Sequence, residues 1–212
     1  MAAFDLVAFD LYGTLLDISG LVEEMRPLIG ERAVNLLARW RKAQLERSWQ
    51  LNRDGLYEPW DLLTMRALQE VAPDLRVETQ ESLAQLWLTV PAFADGAATL
   101  AALKALSVRR AVLSNGTPRM ITRALQAAGL DLDRVLSADD VRAYKTSPQV
   151  YALLDTEADQ SRTLFVSSNG WDVDGAQRTG RTVAWIDRGG EPPDLTPKYR
   201  VGSLSEVVEL MK

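Results

Sequence analysis

Residues Phe4 to Asp17 read FDLVAFDLYGTLLD. The apolar run ends in one carboxylate, Asp10, and a Gly-Thr turn at Gly13-Thr14 follows at once. A buried parallel strand that stops at an acid and a glycine turn delivers that acid to the carboxyl edge of a sheet, where open α/β folds place their active sites. Asp10 is therefore the first candidate for a catalytic group. From this stretch alone, nucleophile, metal ligand and general base all stay open.

Working outward, residues from about 18 to 91 change character. Leu21, Met25, Leu28 and Ile29, then Ala33, Leu36, Leu37, Trp40 and Leu45, recur at helical spacing, and no strand pattern interrupts them. Pro27 suggests a break or a helix start. Further helices are expected from about Trp60 to Val71, stopped by Pro73, and from about Glu78 to Val90, stopped by Pro91. From Ala92 onward strand and helix alternate: helix Ala97 to Leu106, strand Arg110 to Leu113, helix Pro118 to Ala128 ended by Gly129, and strand Val135 to Ser137. A helix from the Ser147-Pro148 cap to Leu154, strand Leu164 to Ser167, helix Asp172 to Thr179 and strand Thr182 to Ile186 continue the pattern. A polar loop at 188–198 leads to a short strand near Tyr199 to Val201 and a last helix, with Ser203 and Glu206 spaced as a capping box. Such alternation predicts an α/β fold, a Rossmann-like parallel sheet covered on both faces. The expected organisation is an α/β core of residues 1–17 and 92–212 with a helical cap, 18–91, inserted between its two pieces.

Composition narrows the chemistry. A chain of 212 residues that is 47% apolar can bury a substantial core. The net charge of −5 gives no electrostatic reason to expect nucleic acid. No apolar run approaches the roughly 18 residues of a membrane span, and the amino terminus lacks a signal-peptide pattern, so a cytoplasmic protein is expected. With neither cysteine nor histidine, thiolate catalysis, Ser-His-acid mechanisms and His-based zinc sites are all excluded. Asp, Glu, Lys, Arg, Ser, Tyr or backbone groups must do the work.

Three later loops each follow a predicted strand and are able to converge on Asp10: Ser114-Asn115-Gly116, Lys145 within AYKTSPQVY, and Ser167-Ser168-Asn169-Gly170-Trp171-Asp172. Each alone has a plainer explanation, as turn chemistry, a solvated lysine or a helix cap. Together with Asp10-Leu11-Tyr12-Gly13-Thr14 they resemble, in order and context, the four motifs of the haloacid dehalogenase superfamily. The resemblance is strongest to the L-2-haloacid dehalogenase branch and spans essentially the whole chain. Trp40 to Trp49, WRKAQLERSW, is similar to that branch's signature around a halide-binding arginine, here Arg41.

The resemblance implies hydrolytic dehalogenation of a short (S)-2-haloalkanoate to the (R)-2-hydroxyalkanoate, with a 2-haloalkanoic acid and halide as the small-molecule partners. Asp10 would attack the halogen-bearing carbon, and water would then hydrolyse the aspartyl ester. Lys145 would hold Asp10 ionised, and Ser114, with backbone amides after Asp10 in the Leu11 to Thr14 turn, would bind the substrate carboxylate. Arg41 and Asn115 would receive the halide, and Asp172, aided by Ser167 and Asn169, would orient or deprotonate water. Tyr12, Leu45, Trp60 and Trp171 would form apolar walls, and Tyr151 would support the lysine and acid network. Superfamily phosphatases carry a second aspartate where this chain has Tyr12, and a Gly-Asp pair where it has Ser167-Ser168. Both losses point to chemistry without metal or organic cofactor. The resemblance also implies a homodimer. A phosphatase acting on a small phosphate ester, or a non-catalytic small-anion-binding protein, are the alternatives.

Overall fold

In the computed structural model, which describes residues 2–212, six parallel strands form one sheet in the order β3-β2-β1-β4-β5-β6. They are β1 (Leu6–Phe9), β2 (Arg109–Ser114), β3 (Arg134–Ser137), β4 (Thr163–Ser167), β5 (Thr182–Ile186) and β6 (Tyr199–Val201). The chain runs outward from β1 through β2 to β3, then returns to the other side of β1 for β4. The reversal puts the switch point at β1, and open α/β sheets bind ligands in the crevice outside the carboxyl ends of the strands at such a point. Phe9 is level with Val112 on β2 and Val166 on β4, so the residues that follow open together on the carboxyl edge.

Every residue of β1 is buried, because helices cover both faces. Val7 and Phe9 pack with Leu100, Leu103, Met120, Ile121 and Leu204 on one face. Leu6 and Ala8 pack with Val150, Tyr151, Val173 and Ala176 on the other. The two-residue side-chain period of a strand makes this division.

Between β1 and β2 lie α1 (Leu21–Ile29), α2 (Ala33–Asp54), α3 (Trp60–Val71), α4 (Val77–Gln85) and α5 (Gly96–Ala105); only α5 covers the sheet. Helix α2 buries Ala33, Leu36, Leu37, Trp40, Gln44 and Ser48, one stripe at helical spacing, and ends at Gly55 in the left-handed conformation (φ 66°). The exit and return of this helical segment run side by side: Leu16 bridges Ala92, Asp17 N–H donates to Pro91 O at 2.7 Å, and Phe93 N–H donates to Leu15 O at 3.0 Å. The remaining helices are α6 (Pro118–Ala127), α7 (Pro148–Ala152), α8 (Gly170–Arg178) and α9 (Leu204–Glu209).

Several sequence expectations need correcting at element ends. Pro27 neither breaks nor starts a helix; it lies inside α1, which stops two residues later, so only the last turn is affected. The helix expected to reach Val90 leaves α-geometry after Gln85 and tightens into a 3₁₀ turn, Leu86–Leu88, that buries Trp87. The helix expected to reach Leu154 likewise changes to 3₁₀ at Leu153. Glu206 does reach back, but to Gly202 N–H and to the Ser203 hydroxyl, so the Ser203 side chain caps no backbone N–H. Helix α8 begins at Gly170, which sets Asp172 in its first turn, where a carboxylate is favoured by the helix dipole.

Candidate active site

Asp10 follows β1 directly and is 6% exposed; its N–H donates to Val166 O at 2.9 Å, which extends the pairing with β4 by one step. Its carboxylate is held from three sides. Lys145 Nζ donates to Oδ1 at 2.8 Å, while Asn169 Nδ2 at 2.8 Å and Thr14 Oγ1 at 3.1 Å both donate to Oδ2. Oδ2 thereby uses both lone pairs, and Oδ1 keeps one free.

Lys145 lies on the segment between β3 and α7 and is 1% exposed. Its ammonium also donates to Asp172 Oδ2 at 2.9 Å, so one cation bridges two carboxylates. The Phe165 ring lies 5.0 Å from Nζ and closes off solvent from that direction. Burial alone would pull the ammonium down, but the charges and hydrogen bonds of Asp10 and Asp172 outweigh it and hold Lys145 above the ordinary lysine value. Asp172 has no exposed surface, and its Oδ1 accepts from Tyr151 OH at 2.7 Å. Burial raises its carboxyl above the usual carboxylate range, opposed by Lys145 and Tyr151 and reinforced by the Asp10 charge. The Tyr151 phenol is itself pushed up, by burial first and by Asp172 next, and so stays a proton donor.

The loop after β4 shows why local rules bend here. Asn169 occupies the N-cap of α8 yet makes no cap with its side chain. Its amide is turned to Asp10 Oδ2 and to Tyr12 O at 3.2 Å. Ser167 Oγ accepts Asn169 N–H at 3.2 Å and so shapes the loop. Ser168, absent from the sequence candidates, ties the first and fourth motifs: its N–H donates to Thr14 Oγ1 at 2.9 Å and its hydroxyl to Gly13 O at 2.7 Å. Gly13 sits at φ 93°, which an L side chain rarely adopts.

After β2, Ser114 Oγ accepts Gly116 N–H at 3.2 Å, and Thr117 with Pro118 starts α6. Asn115 Oδ1 accepts Lys145 N–H at 2.8 Å, which leaves its NH2 as the free donor end. No backbone carbonyl among the described residues takes the N–H groups of Leu11 or Tyr12.

Arg41 comes from α2. Burial lowers its guanidinium from the ordinary value, and Asp10 first, then Tyr12 and Asp172, counteract this. Its one side-chain hydrogen bond is a long one, 3.5 Å to Gln44 Oε1, and it lies 5.9 Å from the centre of the Trp87 ring. Tyr12 donates its hydroxyl to Trp87 O at 2.9 Å and packs edge-on against Trp87. Burial holds its phenol well above the usual tyrosine value. Leu45, Asn169 and Trp171, with Phe93 and Arg188, line a cavity of about 370 Å3. Trp171 stacks edge-on with Trp49. Trp60 is buried and packs edge-on against Tyr144, with ring centres 5.8 Å apart; like Asp10, Tyr12 and Arg41, it lies outside the lining of this cavity.

An acid with a free lone pair, a cation shared with a second acid, and an arginine from the helical segment thus meet at the switch point. A family profile described as haloacid dehalogenase-like hydrolase matches residues 4–180. The chain belongs to the haloacid dehalogenase-like hydrolases. Within this family, it is 36% identical over 217 residues to an (S)-2-haloacid dehalogenase of Pseudomonas sp. (strain YL), covering 97% of this chain and 94% of that one. Among solved structures, a dehalogenase with an intermediate complex superposes with a TM-score of 0.92 at 35% identity, covering 100% of this chain and 98% of the other. An L-2-haloacid dehalogenase from Xanthobacter autotrophicus with chloropropionic acid covalently bound also gives 0.92, at 28% identity and 98% coverage of both chains.

Proposed function

We propose that this haloacid dehalogenase-like hydrolase is an (S)-2-haloacid dehalogenase that converts short (S)-2-haloalkanoates to (R)-2-hydroxyalkanoates and halide through an aspartyl ester on Asp10. The observation that carries the reading is the Asp10 carboxylate, fixed by Lys145, Thr14 and Asn169 with one Oδ1 lone pair left to attack. Attack in line on C2 forms the Oδ1–C2 bond, breaks the carbon–halogen bond and inverts the carbon. The relatives named (S)-2-haloacid dehalogenase, and the neighbour with chloropropionic acid covalently bound, support the same step.

Residues 18–91 act as a cap over a core formed by 1–17 and 92–212. Arg41 and the Asn115 NH2 receive the departing halide, whose charge develops where fixed donors stand ready. Ser114 with the free N–H groups of Leu11 and Tyr12 holds the substrate carboxylate. Water then adds to the Asp10 carbonyl carbon, and Asp172 takes its proton, a task suited to a carboxylate whose affinity for protons burial has raised. The hydroxy acid leaves with the Asp10 oxygen, and the water oxygen stays in the carboxylate.

Charge balance fits an anionic substrate. Asp10 and Asp172 are offset by Lys145 and Arg41, so an incoming carboxylate adds one uncompensated charge rather than two or three. The ammonium of Lys145 also occupies the place between the two carboxylates where a cation is needed, and the reaction runs without metal or organic cofactor. The protein works in the cytoplasm as a homodimer.

The deciding assay is halide release from haloacetates and from both enantiomers of 2-chloropropionate, with and without a chelator. Chloride release from the (S) enantiomer, undiminished by chelator and abolished in Asp10→Asn, is the expected result. Parental release by Asp10→Asn would falsify the nucleophile assignment, and dependence on magnesium would sink the metal-free reading.

A further inference from the structure

Lys145 must present Nζ to two carboxylates at once, yet it stands on a segment with no strand ladder or helix to hold it. Regular structure normally satisfies and fixes backbone N–H and C=O groups, and catalytic groups on loops are less well placed than those on elements unless neighbours lock them. Here one backbone bond, Ser147 N–H to Tyr144 O at 2.8 Å, closes the turn, and side chains hold the rest. Lys145 N–H is held by Asn115 from the core. The residue before it, Tyr144, is held by Asn52 near the end of α2: Tyr144 N–H donates to Asn52 Oδ1 at 3.0 Å and Asn52 Nδ2 donates to Tyr144 O at 2.9 Å. Both bonds come from one side-chain amide, so Asn52 grips the Tyr144 backbone as a facing strand residue would.

The rest of Tyr144 is bound to the helical segment as well. Its hydroxyl donates to Glu58 O at 2.6 Å and accepts Glu58 N–H at 3.1 Å. Its ring packs against Tyr57 and Trp60, with centres 5.1 and 5.8 Å away. The helical segment therefore reaches the Lys145 loop through a continuous set of bonds, and Asn52 makes the pair closest to the lysine along the chain. The same helix supplies Arg41.

We propose that Asn52 is a positioning residue of the dehalogenation reaction: its two-bond grip on Tyr144 fixes the loop that carries Lys145 and couples that lysine to the seating of the helical segment. The role rests on the dehalogenase reading for its catalytic consequence, though not for its geometry. Asn52 touches neither substrate nor Asp10. Its effect passes through the position of Nζ, where a displacement of about 1 Å costs on the order of 100-fold in rate.

Asn52→Leu removes both bonds at similar volume, and Asn52→Asp keeps the acceptor while setting a negative charge against Tyr144 O. With (S)-2-chloropropionate, both are expected to lower kcat by about 10- to 100-fold and to change KM by less than about twofold. Both should also move the alkaline limb to lower pH. Lys145 faces Asp10 from the end of β1 and Asp172 from α8, with Tyr151 of α7 bonded to Asp172 and Arg41 of α2 beyond; once Nζ leaves the two acids, its burial is no longer offset. Labelling with acetic anhydride, read by mass spectrometry, gives a measure that needs no turnover: Lys145 stays unlabelled in the parent and becomes labelled in the variants. Parental kcat, limb and labelling in both variants overturn the proposal. So does a loss of activity that tracks the unfolded fraction and leaves the limb in place, which is what a purely structural Asn52 would give. A parent that releases no halide, while the variants still expose Lys145 to label, upholds the positioning role and sinks the dehalogenase reading instead.

Discussion

Lys145 shows how much one buried charge decides. Replacing it with methionine keeps the volume but leaves Asp10 and Asp172 facing each other without their shared cation. Breaking a buried ion pair in this way costs about 3–5 kcal/mol, and the cost shrinks as acid neutralises Asp172, whose carboxyl burial has raised above the usual carboxylate range. Urea unfolding of Lys145→Met is expected to show the full loss at pH 7.5 and a smaller one at pH 5. At high pH the parent protein itself loses stability. Because its folded-state affinity for protons is raised, Lys145 contributes its full stabilisation below the ordinary lysine value of ~10.4 and loses it as pH climbs through the higher folded value. Dehalogenation should therefore persist well above neutral pH. On the acid side the limb follows Asp172, which burial has raised above the usual carboxylate range. A steep fall in chloride release as pH rises from 6 to 7.5, with the fold intact, would contradict the persistence above neutral pH.

At the scale of elements, α8 and α7 approach so closely that only glycine fits between them. A Cβ on Gly175 would lie 2.5 Å from Tyr151 OH and 2.8 Å from Thr146 Cγ2. Gly175→Ala is expected to push Tyr151 off Asp172, lowering kcat about tenfold or more, and to cost about 1–3 kcal/mol through overpacking. Thermal melts and chloride-release kinetics on one preparation check both effects; an alanine variant with parental values would show that the two helices part without consequence. The element pattern itself was readable in the chain: β5, β6 and α3 begin and end where alternation and breakers put them. Beyond Pro27, Ser203 and the start of α8, the errors fell at Leu86 and Leu153, where propensity is weak and tertiary contacts choose between α and 3₁₀ geometry. Asn169 misleads a local reading for a different reason: as an N-cap its amide belongs to its own helix, but Asp10 takes it.

At the scale of the molecule, five of the eight large apolar side chains left exposed among the described residues, Leu28, Val34, Leu56, Leu62 and Val77, belong to the helical segment. Exposed apolar side chains favour association where an interface covers them, and light scattering is expected to give twice the mass of the single chain; a mass equal to one chain across micromolar concentrations would rule the homodimer out. No helix among the described residues is long and apolar enough to cross a membrane.

By itself the sequence determined the order of strands and helices, the nucleophile candidate and the set of motifs that accompany it. Those follow from side-chain period, from turn chemistry and from residue types with few alternative uses. Only the tertiary structure decided that Lys145 serves two acids, that Ser168 joins Thr14 to the fourth motif, that Trp60 packs edge-on against Tyr144, and that Asn52 grips the lysine loop from 92 residues away. Hydrogen bonds between distant segments leave no periodic mark on a chain. They exist because folding brings unpaired backbone and side-chain groups together in a dry interior, where each must find a partner.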